Sequence, residues 1–227
     1  MAKGLLVLFG LLASAGSSFA QSSKAAVEVG TFNVLDTCTT QGGCVQTTAW
    51  ATLLSVNIQT PSQKDLIVGG SLQTALFTST QVKSKGGTSD TSEAEAKIEV
   101  RMVMDPTTPG AGAAGRNADP GVVTYDRRRQ NLMASLGGVF TCTGVTLDTC
   151  TVTDEVIQLI LDTTSAHHFN FIIDDTGTGT HTVELQVRLN TNTAWQNGHA
   201  EATAVIGKGS LTVEEVRLVK GADVVFP

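Results

Sequence analysis

EAEAKIEVRMVM, residues 93–104, decides the fold class of this chain. Ala94, Ala96, Ile98, Val100, Met102 and Met104 recur at every second position. Glu93, Glu95, Lys97, Glu99 and Arg101, then Val103, fill the positions between them. Side chains of an extended strand point alternately to its two faces. Strict period two over this length therefore predicts a half-buried antiparallel strand. HTVELQVRLN, residues 181–190, repeats the pattern with Val183, Leu185, Val187 and Leu189 on one face. Ile98, Val100, Leu185 and Val187 are expected to point inward. Glu99 and Glu184 are expected to face solvent and to tolerate replacement.

Outward from these two segments the chain continues to read as strands. Thr and Val abound, and stiff β-branched side chains suit a pleated surface. Residues 27–34 open the fold. Residues 50–59 place Trp50, Leu54, Val56 and Ile58 on one face. Residues 65–78 form a strand with a bulge or bend at Gly69-Gly70. Residues 122–128 follow the Asp119-Pro120-Gly121 turn. Residues 155–162 and 169–174 read as two apolar strands joined around 163–167. Residues 201–206 and 211–219 form a last pair joined by Gly207-Lys208-Gly209, with a bulge at Glu214-Glu215. Two irregular stretches, 80–92 and 106–121, read as surface loops flanking the 93–104 strand. No fixed-period repeat and no sustained helical periodicity occurs. About ten strands in one domain predict an all-β, two-sheet antiparallel sandwich of the jelly-roll type.

The first twenty residues read differently. Lys3 precedes a short apolar run, 5–12, and Ser18 and Ala20 occupy the small-residue positions before Gln21. This is the pattern of a cleaved secretory signal peptide, residues 1–20, followed by a β-sandwich domain over 21–227. The apolar run is too short to span a bilayer, and no second long apolar run follows it. The expected location is extracellular or periplasmic. The full chain carries a net charge of −6. An acidic surface repels phosphate backbones and anionic headgroups, which argues against nucleic acid and membrane as partners.

Four cysteines remain: Cys38, Cys44, Cys142 and Cys150. Four cysteines allow three pairings. Each close pair brackets turn-rich residues, so Cys38–Cys44 and Cys142–Cys150 are the expected disulfides of an oxidising compartment. Their spacing is too wide for a typical zinc site.

Few residues suggest chemistry. Asp174 and Asp175 open a Gly-Thr-rich turn whose oxygens could hold calcium, although a plain hairpin turn accounts for the same residues. Trp195 lies in a polar loop, 191–198, and could stack on a sugar ring, or fold back over the core edge. His167, His168, His181 and His199 are scattered polar residues rather than a zinc set. Arg127 and Arg129 share one strand face and Arg128 takes the other, a basic strand end balanced by nearby acids. No nucleophile elbow, zinc-protease helix motif or phosphate-binding loop is present. The expectation is a secreted non-enzymatic sandwich, without a required cofactor, that self-associates or binds an extracellular polymer. Alternatives are a calcium-assisted carbohydrate-binding module using Trp195, Asp174 and Asp175, an undetected hydrolase, and a filament subunit. In the filament reading, residues 25–34 insert into a neighbour's open sheet edge.

Overall fold

The computed structural model describes residues 25–39, 43–144 and 149–218. The expected signal peptide and its cleavage point lie outside the described residues. Strands account for nearly all secondary structure. They are β1 (Ala25–Cys38), β2 (Cys44–Thr47), β3 (Ala51–Thr60), β4 (Lys64–Ser84), β5 (Ser89–Met104), β6 (Arg116–Asn117), β7 (Val123–Ser135), β8 (Val139–Cys142), β9 (Cys150–Thr153), β10 (Glu155–Thr176), β11 (Gly179–Trp195) and β12 (His199–Val216).

The first sheet has the order β1-β12-β4-β10. In the second, β11 and β5 are central, with β2 and β3 beyond β11 and β6 and β7 beyond β5. All pairings are antiparallel. Setting aside the short strands β2, β6, β8 and β9 leaves eight long ones. Counted in chain order, the sheets run first-eighth-third-sixth and second-seventh-fourth-fifth, which is the jelly-roll arrangement. Strands β8 and β9 form a separate hairpin closed by Cys142–Cys150, and Cys38–Cys44 ties β1 to β2.

The inner faces of the two sheets meet in one apolar core. Ile98, Val100 and Met102 of β5 pack with Val183, Leu185, Val187 and Leu189 of β11. Opposite them lie Leu66, Val68, Leu72 and Leu76 of β4 and Ala202, Ala204 and Ile206 of β12. The two alternating segments thus point inward on the expected faces. Leu54, Val56 and Ile58 of β3 do the same.

Several local expectations are corrected. Residues 80–92 are not a loop. β4 runs through Ser84, and only Lys85 to Thr88 turn, with Gly86 and Gly87 at positive φ. Buried Asp90 secures the turn by accepting from the Lys83 and Asn197 amides. Gly69-Gly70 is not a bulge, since the β4–β10 register passes through both without a shift. Gly70 is there for space: a Cβ on it would lie 2.4 Å from Met102 Cε and 3.1 Å from Leu185 Cδ1. Residues 155–176 are one continuous strand, and so are 199–216. In the latter the expected turn at 207–209 is a bulge against β4. At Glu214-Glu215 the pairing with β4 is regular, so no bulge stands there. In each case Thr, Ser and Gly carry on the two-residue alternation without an apolar signal.

Candidate interaction surface

The proposed ligand-contact residues do not converge. Trp195 is not in a loop: the 191–195 part of that stretch continues β11, which Trp195 ends, half-buried against the core edge and tilted towards the His199 ring at 5.6 Å. Asp174, Asp175 and His181 sit near the other end of that strand, about 40 Å or more away along extended chain. Asp174 forms an ion pair with Arg116 at 2.7 Å. The Asp175 amide donates to Asp65 Oδ1, and its carboxylate accepts from Gln63. His181 bonds Asp105 at 2.8 Å. His167 meets Ser165 and Asp126, and His168 meets Ser71 and Asn170 on the opposite face. Among the described residues no group of three or more His, Cys, Asp or Glu side chains is arranged to hold a metal ion. No helix among them is long and apolar enough to cross a membrane. The two disulfides fit an oxidising compartment.

The outer face of the second sheet is not simply solvated. Glu184 is fully buried and Glu99 is 8% exposed, contrary to the expectation for the polar face of a half-buried strand. At Glu184 the cause is the connection between β5 and β7, which folds over this face, whereas Glu99 is enclosed by the side chains of Lys97, Arg188 and Asn190. Glu184 accepts from Gly110 N at 2.6 Å, Thr52 Oγ1 at 2.7 Å and Gln186 Nε2 at 2.8 Å. Gln186 also donates to Ala113 O, and Arg101 donates to Gln186 and to Gly112 O. Trp50 is not a core residue. It precedes β3 and stacks on this outer face, with the guanidinium carbons of Arg101 and Arg188 at 4.3 and 4.7 Å from its ring.

Burial pushes the Glu99 carboxyl up, but hydrogen bonds from Lys97, Arg188 and Asn190 outweigh that and hold it below the usual range. Farther along, Arg127 pairs with Glu95 and Arg129 with Glu93, while Arg128 turns inward, as the alternation requires. This face is a lattice of polar side chains that satisfy one another.

The exception is β10. It closes the first sheet on one side, pairing with β4 from Glu155 to Ile173. Val156, Ile157, Leu159, Ile160 and Leu161 occupy both of its faces, and all five are 42–54% exposed. A strand apolar on both faces ordinarily lies in a sheet interior, covered on both sides. Here it stands at an edge, and β7 on the facing sheet covers it only in part.

The gap between β7 and β10 is bridged by polar groups. The Tyr125 hydroxyl accepts from Leu72 N at 2.9 Å and bonds the His167 carbonyl. Asp126 accepts from Thr74 and Ser165. Arg128 reaches Leu76 O and the Thr163 hydroxyl, and Gln130 reaches Leu159 O and Thr78. Burial raises the Tyr125 phenol to about 12, against a smaller lowering by the Leu72 amide bond.

The free side of the β10 backbone can be read from one bridge. Ile172 exchanges both main-chain bonds with Asp119 at 2.8 and 3.0 Å. Main-chain groups of successive residues in an antiparallel strand point alternately to the two sides. The even-numbered residues of β10 therefore aim N–H and C=O away from β4. Among the described residues, no backbone group bonds those from Val156 to Asn170 on that side.

Periodicity could have found the 155–161 segment as doubly apolar, but only the pairing shows it at an edge. No protein-family model matches the chain, and no curated protein does. Solved structures with some likeness include a particle of infectious bursal disease virus, at 13% identity over 96% of this chain and 48% of that one, with a TM-score of 0.17. Structures of the Gt and Gx strains of that virus give 15% and 14% identity over 93% and 96% of this chain. They cover 47% and 52% of those chains, with TM-scores of 0.19 and 0.18. The chain spans about half the length of these proteins, and likeness at such scores carries no argument.

Proposed function

We propose that this protein is a secreted, non-enzymatic β-sandwich that works through its surface at the cell exterior, by self-association. One observation carries the reading. β10 presents an uncharged, mostly apolar segment, 156–161, on both faces beside a row of main-chain donors and acceptors that no backbone group among the described residues bonds. Natural edge strands are usually kept short, charged or bulged to prevent pairing with another chain. This one is 22 residues long and pairs without a register shift until Ile173. Of the 156–161 side chains, none is charged. An edge so poorly defended suits a partner that covers it.

The filament reading, with residues 25–34 inserted into a neighbour, has less support. Residues of β1 pair with β12 of their own chain from Ala25 to Cys38, and would have to leave it to be donated. The carbohydrate-module reading draws no support from Trp195, Asp174 and Asp175, which lie at opposite ends of β11.

Size-exclusion chromatography with light scattering over a concentration series tests the proposal. A mass that rises with concentration is expected. A strict monomer at all concentrations, combined with calorimetric binding of calcium or a polysaccharide, would replace this reading with the module.

A further inference from the structure

We infer that Asn197-Gly198, in the connection between β11 and β12, is a self-modifying site: it deamidates through a cyclic imide in the folded protein, and the isoaspartyl product opens the turn that Asp90 holds. This chemistry needs no second copy of the chain and stands apart from self-association. Asn197 is the one asparagine of the chain that precedes glycine. Glycine sets no Cβ beside its own nitrogen, so that nitrogen approaches the preceding side chain with least hindrance.

A fold can protect such a dipeptide by tying up either reacting group. Here neither is tied. Asn197 is exposed, and among the described residues only its main-chain N–H is hydrogen-bonded, to Asp90 Oδ1 at 3.0 Å. Its side-chain amide is left free beside an open cavity of 550 Å³, which Lys83, Lys85 and Asp154 also line. Among the described residues no main-chain acceptor takes the Gly198 N–H. The glycine is also compulsory. A Cβ at 198 would stand 1.6 Å from the Gln81 carbonyl oxygen, so a bulkier residue, which would slow the reaction, has no room.

In the first step the Gly198 nitrogen gives its proton to a solvent base and attacks Asn197 Cγ. The N–Cγ bond forms, the Cγ–Nδ2 bond breaks, and Nδ2 takes up a proton and leaves as ammonia. One water then opens the imide at either carbonyl. Opening at Cγ gives aspartate on an unchanged main chain. Opening at the main-chain carbonyl carbon leaves that carbon as a free carboxylate, and the chain then runs through the side chain, one methylene longer.

The turn has no slack for the extra methylene. Buried Asp90 accepts from the amides of Lys83 at 2.7 Å, Thr91 at 2.9 Å and Asn197 at 3.0 Å, which fixes the chain just before the reacting bond. The Ser92 hydroxyl donates to the His199 carbonyl at 2.7 Å, and His199 pairs with Gln81, which fixes it just after. A longer chain must give up one anchor, and the Asn197–Asp90 bond is nearest the insertion.

Ageing the pure protein in mildly alkaline buffer, followed by peptide mapping, tests this. Tryptic peptide 189–208 should gain the mass difference between an amide and an acid, and split into aspartyl and isoaspartyl peaks. Residue 197 should convert at least about tenfold faster than any other asparagine. A synthetic peptide of residues 194–201 supplies the unprotected rate. Folded protein that converts at less than about a tenth of that rate overturns the inference. Asn197→Gln, whose longer side chain must close a larger ring, should stay intact. Aged wild type should melt at least about 2 °C below fresh protein, while aged Asn197→Gln keeps its midpoint. Aged protein that carries isoaspartate at 197 and melts like fresh protein overturns the opening of the Asp90 turn.

Discussion

Replacing Glu184 by Gln separates the structure from the simple strand pattern. On the pattern, Glu184 is a solvent-facing residue of a half-buried strand, and its amide should be nearly neutral. In the structure its carboxylate is fully buried and holds the β5–β7 connection to the outer face of the second sheet. Oε1 accepts from the Gly110 amide, and Oε2 accepts from the Thr52 hydroxyl and the Gln186 amide group. A carboxamide has one acceptor atom. In its better orientation the oxygen keeps Thr52 and Gln186, and the new NH2 faces the Gly110 N–H, leaving two donors together.

An unsatisfied buried donor costs about 1–3 kcal/mol, and hydrogen bonds to a charged group lose strength when the charge goes. Glu184→Gln should therefore destabilise the protein by about 2–4 kcal/mol. Urea unfolding read by the fluorescence of Trp50 and Trp195 measures this. The midpoint should fall while the slope with denaturant stays the same. The Gly110 amide should also exchange with solvent faster than in the wild type. A loss under about 0.5 kcal/mol, the range of ordinary surface substitutions, would refute the buried clamp. Glu201→Gln on β12 serves as the control.

Other outcomes follow from the same geometry. Gly70→Ala drives a methyl into Met102 and Leu185, and should cost about 1–3 kcal/mol by overpacking, with Gly207→Ala, which meets nothing closer than 3.7 Å, as the milder comparison in thermal denaturation. Tyr125 is the sole tyrosine, so its ionisation can be followed directly in the ultraviolet; the folded protein should titrate at about 12, and a midpoint near 10 would mean the hydroxyl is not buried. Because this folded value lies above the unfolded one, the contribution of Tyr125 to stability is fully present below about pH 10 and is lost as pH rises through about 12. Glu99 works in the other direction. Its lowered value makes its contribution present above about pH 4.5 and lost as pH falls through the folded value, so Arg188→Gln should flatten the acid limb of the stability profile.

The alternation in 93–104 and 181–190, with about ten strand-like segments and no helical periodicity, was enough to predict a two-sheet antiparallel sandwich and the residues that build its centre. Period two puts Ile98, Val100, Leu185 and Val187 on one side of a strand whatever the partner, and only the core can take them. The disulfides were also legible, because short Cys38–Cys44 and Cys142–Cys150 spacings leave little choice of geometry.

What the pattern could not carry was anything set by a distant neighbour. Glu184 looks solvated along its own strand, and is buried because a connection more than seventy positions earlier folds over it. Trp50 shares the apolar phase of β3, yet stacks outside on Arg101 and Arg188. Gly70 reads as a break in a strand, and is a space reserved for Met102 across the core. Residues 155–162 read only as an apolar strand, and tertiary pairing places them at a sheet edge. Hydrophobic periodicity reports which side chains avoid water. Which strand ends a sheet depends on the order in which sheets close, and that is decided by contacts between residues far apart in the chain.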